Sequence, residues 1–346
     1  MTSSDIIHQA RERLGTRLAI LAHHYQADEI VRHADITGDS LELARKIPEL
    51  SAEFIVFCGV SFMAETAAVL TSPGQKVVSP DPGADCVMAE TAPAVLVRTV
   101  LERLRAGGKD VVPLAYVNSS LEVKAICGRF GGAVCTSANA RTMLEWALEG
   151  GRSVLFLPDR NLGMNTARTL GLDEKRIRLL DVRQKGRFID QDTAALPLLH
   201  LWPGVCAVHF RLRPEHVLQA RRTCPTARVL VHPECNPEVV SMADKAGSTS
   251  LLIREVRSAP DGLPVYVGTE SNLVNRLARE RGHRGPVLPL AETFCSNMAR
   301  VTEAKLANIL EHVEGETGLG VPPAQKDHAL SALNTMLEAC SVQRSQ

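Results

Sequence analysis

The stretch Leu18–Gln26, LAILAHHYQ, decides the reading: an unbroken apolar run closes abruptly on histidine, tyrosine and glutamine. An apolar run of this length without polar alternation suits a strand buried on both faces, as in parallel sheets flanked by helices. The same design recurs in DVVPLAYVN, ending on Tyr116–Asn118, and in ARVLVHPE, ending on Val231–Glu234. Further apolar runs, FIVFCGV, SVLFLPD and LPVYVGT, alternate with amphipathic stretches from about Arg17 to Leu290. That rhythm of strand and helix predicts an α/β protein with functional groups at the strand ends.

Laid side by side, the three polar strand ends begin three copies of one degenerate unit. Each is followed by a helix-like stretch and a second signal: GDS at Gly38–Ser40, CTS at Cys135–Ser137 and GST at Gly247–Thr249. A third signal closes another apolar run, FCGVSFMAE from Phe57, FLPDRNLG from Phe156 and VGTESNLV from Val267. One cysteine in a loop then trails each unit: Cys86, Cys206 and Cys295. Units packed about a pseudo-threefold axis would deliver one thiolate apiece to a common centre. Boundaries are expected at 1–88, 89–172 and 173–286, with the Cys295 loop and C-terminal helices in 287–346. The final helix, from about Gln325 to Ala339, is expected to pack on the body without chemistry.

Bulk properties narrow the function. Lysine plus arginine (39) equals aspartate plus glutamate (39), so no basic excess points to nucleic acid. The N-terminal MTSSDIIHQARERLG mixes acid and base, and no long uncharged apolar segment occurs, so no membrane partner and a cytoplasmic location are expected. Nine cysteines, an odd number, are spread widely through a chain too large to need stapling, which argues against a disulfide framework. None lies in a C-x-x-C arrangement, so a shared metal must gather thiols from distant segments. Cys58, Cys127, Cys135, Cys224, Cys235 and Cys340 read as small buried residues.

The serines Ser40, Ser137 and Ser248 can each cap a following helix, and Asp39 with Glu42 offers a capping box. The same helix ends can hold an anion. His232 and Glu234, two residues apart at a strand end, can share proton transfer near neutral pH. The turns at Asp81 and at Pro158, PDRN, read as plain turns.

AHHYQADEI with GDSLELAR, FCGVSFMAET, YVNSSLEVKA, CTSANA, FLPDRNLG, VHPEC, GSTS and FCSNM resemble the blocks of the quinolinate synthase family, in that family's order, from about Arg17 to Thr302. The resemblance implies three similar αβα sandwich domains with short parallel sheets around a pseudo-threefold axis, and one [4Fe–4S] cluster held by Cys86, Cys206 and Cys295. It also implies a transferase that condenses iminoaspartate with dihydroxyacetone phosphate to quinolinate, losing phosphate and two waters, in de novo NAD biosynthesis. His23 and Ser40 would bind a carboxylate, while Tyr25, Tyr116 and Asn118 would line the pocket. Ser137, Ser248 and Thr249 would hold the dicarboxylate or phosphate, and Tyr25, Tyr116, His232 and Glu234 would be catalytic. A transient contact with the enzyme supplying iminoaspartate is expected. Other readings are a different dicarboxylate hydro-lyase, an oxygen-sensing iron–sulfur protein, and a structural zinc site on the same thiols.

Overall fold

All six apolar runs form strands, and shorter strands flank them. In this computed structural model, which describes residues 1–106, 108–186 and 197–342, the strands in chain order are β1 (Leu18–His23), β2 (Ile36–Gly38), β3 (Phe54–Cys58), β4 (Lys76–Val78), β5 (Val111–Tyr116), β6 (Ala133–Cys135), β7 (Ser153–Leu157), β8 (Ile177–Leu179), β9 (Leu199–Leu201), β10 (Arg228–Val231), β11 (Lys245–Ala246), β12 (Val265–Gly268) and β13 (Val287–Pro289). β1, β3, β5 and β7 are buried along their whole length. A strand covered on both faces has no solvent side to reserve for polar residues, which explains their continuous apolar sequences.

The strands build three short parallel sheets, ordered β2-β1-β3-β4, β6-β5-β7-β9-β8 and β11-β10-β12-β13. In each, the first strand lies between the second and third, so the chain direction across the sheet reverses at the central pair. Open α/β sheets form their crevices at this reversal, beyond the carboxyl ends of the strands. The registers of the central pairs run from Leu18 opposite Phe54 to Ala22 opposite Cys58, from Val111 opposite Ser153 to Ala115 opposite Leu157, and from Arg228 opposite Val265 to Val231 opposite Gly268. The polar strand ends and the third signals are thereby neighbours in every sheet.

The expected junction near Leu172 falls between β7 and β8 of a single sheet. β8 and β9 lie beyond that residue, yet both pair into the middle sheet through Ile177–Leu179 and Leu199–Leu201. By compactness the chain divides into two units. One, Met1–Cys86, Arg211–His232 and Met242–Val321, carries the first and third sheets; the other, Val87–Phe210, Pro233–Ser241 and Pro322–Gln346, carries the middle sheet.

In the first unit, helix Ser3–Leu14 and helix Glu303–His312 cover the first sheet, putting Ile7, Ala10, Leu14, Leu306 and Leu310 against Ile20, Phe54 and Val56. Around the third sheet, Leu252, Val256, Leu273 and Leu277 pack on Leu230, Val265 and Val267. In the second unit, helix Pro323–Val342 buries Ala329, Ala332, Leu333 and Met336. It lies so close to helix Leu121–Arg129 that a Cβ on Gly128 would come within 1.8 Å of the His328 carbonyl oxygen. Among the described residues no helix is long and apolar enough to cross a membrane.

One hydrogen bond repeats in all three sheets. The helices after β3, β7 and β12 are Ser61–Leu70, Arg160–Thr169 and Ser271–Arg281. The first residue of each donates its backbone N–H to the carbonyl two residues ahead of a loop cysteine: Ser61 to Ala84 (2.9 Å), Arg160 to Gly204 (2.9 Å) and Ser271 to Thr293 (2.8 Å). Otherwise orphaned helix-end N–H groups thus fasten the Cys86, Cys206 and Cys295 loops in the same way.

His200 in β9 is 1% exposed, and neither ring nitrogen has a partner among the described residues. Burial, with help from the charges of Arg178 and Lys109, lowers its pKa to about 4. The folded chain therefore holds it neutral, whereas the unfolded chain takes up the proton near its ordinary pKa. Between about pH 6.5 and 4 stability falls as pH falls, by a total on the order of 3 kcal/mol from this residue. His200→Leu should flatten the urea-midpoint profile in that window relative to the native chain; parallel profiles for the two would contradict this.

Candidate functional site at the strand ends

In the first unit, β1 delivers His23 and Tyr25 to the sheet's crevice. His23 is 5% exposed, and its Nδ1 accepts the Tyr25 backbone N–H at 3.1 Å. The Tyr25 ring stands edge-on to it, 4.7 Å between centroids at 80°. Tyr25 Oη lies 2.7 Å from Thr269 Oγ1 and 3.4 Å from Thr249 Oγ1, which donates to it. His23, Tyr25 and Thr249 therefore meet, joined by Thr269 of the third signal. Helix Ser271–Arg281 pins this turn from outside: Asn272 donates to the Tyr25 carbonyl (3.3 Å), and Arg276 to the carbonyls of His24 and Gln26. His232, 2% exposed, directly follows β10 with its amide on the Gly268 carbonyl at 3.0 Å.

Only one of the three expected serine caps forms. Ser248 caps helix Thr249–Ser258 by accepting the Leu251 N–H at 3.4 Å. At GDS the cap is Asp39, whose Oδ1 accepts the Leu41 and Glu42 N–H groups at 3.0 Å while Glu42 returns a bond to the Asp39 amide. Ser40 is the first residue inside that helix, Ser40–Lys46. The carboxylate occupies the extended backbone position that capping requires, leaving the serine hydroxyl free of that duty. At CTS, Ser137 lies in a turn and Asn139 precedes helix Ala140–Leu148. The Asn139 carboxamide oxygen turns back to accept from Thr136 N (2.6 Å) and Oγ1 (3.2 Å).

The second unit holds Tyr116, Asn118, Ser137 and Glu234. Tyr116, 5% exposed, ends β5, and the buried Asn118 Oδ1 has no protein partner among the described residues. Glu234 and His209 are 2% and 1% exposed, with Glu234 Oε2 2.6 Å from His209 Nδ1. The Cys206 thiol joins them: one ligand-type atom from each of Cys206, His209 and Glu234 lies within 4.8 Å of the others.

Helix Arg160–Thr169 sets the backbone of Glu234. Asn161 donates to the Glu234 carbonyl at 3.2 Å, and Asn165 donates to those of Pro233 (2.7 Å) and Cys235 (2.9 Å). Positions four apart share a helix face, so both carboxamides address one turn. Asp159, 0% exposed, precedes them at the N-cap, its pKa raised by burial and by the charge of Glu234. Its counterpart in the third signal is Glu270, also 0% exposed, which burial pushes up to about 7. The PDRN stretch is therefore not a plain turn. His209, Asp159, Asn161, Asn165 and Glu270 escaped the sequence reading; the one signal was the run of polar residues Asp159, Asn161 and Asn165, and Glu270, just after apolar strands, and His209 had none.

The thiols divide by environment. Cys58 and Cys127 are fully buried and held protonated, their pKa pushed to about 12 by burial, and Cys135 is shifted in the same direction. Cys235 and Cys340 are also buried, the latter accepting from Asn139 at 3.1 Å. Cys86, Cys206 and Cys295 are partly exposed, as is Cys224. Metals take the thiolate, which a partly exposed thiol reaches at less cost than a buried one.

Three parallel sheets with polar groups at their central crevices, each fastened to a thiol-bearing loop, define a repeated α/β protein with a candidate metal-binding site. The chain belongs to the quinolinate synthetase A family, whose model matches residues 5–338. Quinolinate synthase of Acidobacterium capsulatum is 43% identical over 338 residues, covering 95% of this chain and 91% of that one. That of Nocardioides sp. is 42% identical, covering 95% and 87%, and that of Bacillus subtilis 40% identical, covering 94% and 90%.

Asn165→Ala would strand two buried carbonyls. It should lower stability by about 1–3 kcal/mol, read as a lower urea midpoint at constant m-value; an unchanged midpoint would contradict the anchoring role.

Proposed function

We propose that the protein is a cytoplasmic quinolinate synthase of de novo NAD biosynthesis, a transferase joining iminoaspartate to dihydroxyacetone phosphate with loss of phosphate and two waters. Family membership and the activity named for its relatives support the reading. The observation that carries it is the buried His209–Glu234 pair beside the Cys206 thiol. A proton-transfer group next to a metal-ligand thiol is what metal-assisted dehydration requires.

The donor set suits an iron–sulfur cluster: Cys86, Cys206 and Cys295 are thiols outside any disulfide, partly exposed, and carried on loops fastened by equivalent bonds. We assign these thiolates as the ligands of one [4Fe–4S] cluster. When bound, the cluster supplies an iron without a protein ligand, a Lewis acid for substrate oxygen. His23 and Ser40 bind a carboxylate. Ser248 and Thr249, at the N-terminus of a ten-residue helix, offer hydroxyls and backbone N–H groups to a second anionic group, as does Ser137. Tyr25, Tyr116 and Asn118 line the pocket and orient the substrates. Glu234, oriented by its bond to His209, takes the proton released on enolisation and returns it to a departing hydroxyl, and His232 assists. Iminoaspartate, an imine prone to hydrolysis, favours transient contact with the enzyme that makes it.

Purification without oxygen followed by iron and sulfide analysis should give about four of each per chain, with quinolinate formed from the two substrates. Cys86→Ser, Cys206→Ser and Cys295→Ser should each lose the cluster and the activity. Zinc in place of iron, or normal cluster content in any of these variants, would contradict the assignment. Glu234→Gln should retain iron while kcat falls roughly 10²–10⁴-fold; unchanged turnover would remove Glu234 from proton transfer.

A further inference from the structure

The cysteine loops of the second and third sheets have a second fastening besides the repeated backbone bond. Asp159 sits two residues beyond β7 and Glu270 two residues beyond β12, each as the N-cap of the next helix. One oxygen of each caps: Asp159 Oδ1 accepts Leu162 N–H at 2.7 Å, and Glu270 Oε2 accepts Asn272 N–H at 2.8 Å. Each carboxylate also accepts the backbone N–H of a loop cysteine. Asp159 Oδ2 takes that of Cys206 at 3.0 Å, and Glu270 takes that of Cys295.

We propose that Asp159 and Glu270 are positioning residues for the cluster ligands, each fixing a cysteine amide so that its thiolate is aimed before metal arrives. The inference rests on the iron–sulfur reading above. A cap alone does not require a buried carboxylate: Thr2, Ser120, Ser248 and Thr302 cap other helices of this chain with hydroxyls. Burying a charged group costs more than a cap returns. What the carboxylate adds is further acceptor capacity: Asp159 Oδ2 goes to the cysteine, and Glu270, whose Oε1 also accepts Asn272 Nδ2 at 3.1 Å, serves the Cys295 amide as well. A bond to the amide restrains the backbone at the residue whose side chain must point at the metal, the preorganisation expected of groups supporting a metal ligand.

The first sheet departs from the pattern instructively. Val60 occupies the corresponding N-cap and provides no side-chain bond, while Ser61 Oγ donates to Asp85 Oδ1 at 2.7 Å. There the hold is on the residue preceding Cys86.

The test is cluster retention in Asp159→Ser and Glu270→Ser, which keep a capping hydroxyl and lose the second acceptor. The protein is reconstituted anaerobically, and cluster absorbance is followed after adding an iron(II) chelator, alongside melting of the metal-free protein. Thr302→Ala, which removes a cap whose bond is to Lys305 and not to a cysteine, is the control. Both serine variants should lose iron at least about tenfold faster than the native protein, with Thr302→Ala at the native rate. Native-rate retention in the two serine variants, or iron loss that merely tracks melting temperature across all three, would overturn the proposal. Where a serine variant fails to fold, Asp159→Asn and Glu270→Gln, nearly isosteric with one acceptor oxygen, carry the same expectation and the same refutation. A native protein that binds no iron would overturn the cluster reading and this inference with it; native binding with unaltered variants overturns only the inference.

Discussion

The parallel pairing of the central strands, β1 with β3, β5 with β7 and β10 with β12, is the constraint on which the rest depends. Because the chain reverses its progress across each sheet at these pairs, two strand ends that are far apart in sequence open side by side. The first contributes a polar triplet; the second contributes a helix N-terminus. That N-terminus binds the carbonyl two residues ahead of a cysteine in every sheet. Strand pairing, helix-end N–H groups and thiol placement are thus successive consequences of a single topological choice.

Burial governs what the side chains can do once placed. In the second unit, carboxylates and carboxamides are sunk where water cannot satisfy them, and backbone from elsewhere in the chain meets most of the demand: the Pro233–Cys235 turn accepts from the Asn161 and Asn165 side-chain amides, and Leu162 and Cys206 donate to Asp159, while Asn165 Oδ1 has no partner among the described residues. Each bond made in such a buried network is costly to lose, so it holds geometry firmly. The thiols show the opposite side of burial. Cys58 and Cys127 are kept protonated by it, whereas the loop cysteines retain the solvent access a thiolate needs.

Much of the fold was legible in the sequence because strands buried on both faces announce themselves as apolar runs. The six long runs were readable; β2, β4, β6, β8, β9, β11 and β13, of two or three residues, carry too little pattern to be seen. The segment after Leu172 looked like a junction because turn residues mark any loop, whether or not the next strand returns to the same sheet. The capping box of Asp39 and Glu42 was legible from its spacing and forms, which leaves Ser40 one residue inside the helix rather than capping it. At the site, the histidines, tyrosines and serines of the repeated motifs were visible as strand-end residues. His209 was not, since its bond to Glu234 spans 25 residues, and neither was the role of Asp159, which joins Cys206 across 47. Those contacts exist only after the sheet has formed.

Three loop thiolates on a four-iron cluster would leave one iron open to substrate. Mössbauer spectra of protein reconstituted with ⁵⁷Fe, recorded with and without a dicarboxylate substrate analogue, address it most directly. About one quarter of the iron absorption should change on addition while the rest stays fixed, as for a single uncoordinated corner of a four-iron cluster. A spectrum untouched by a saturating analogue, or one in which every iron shifts alike, would contradict it.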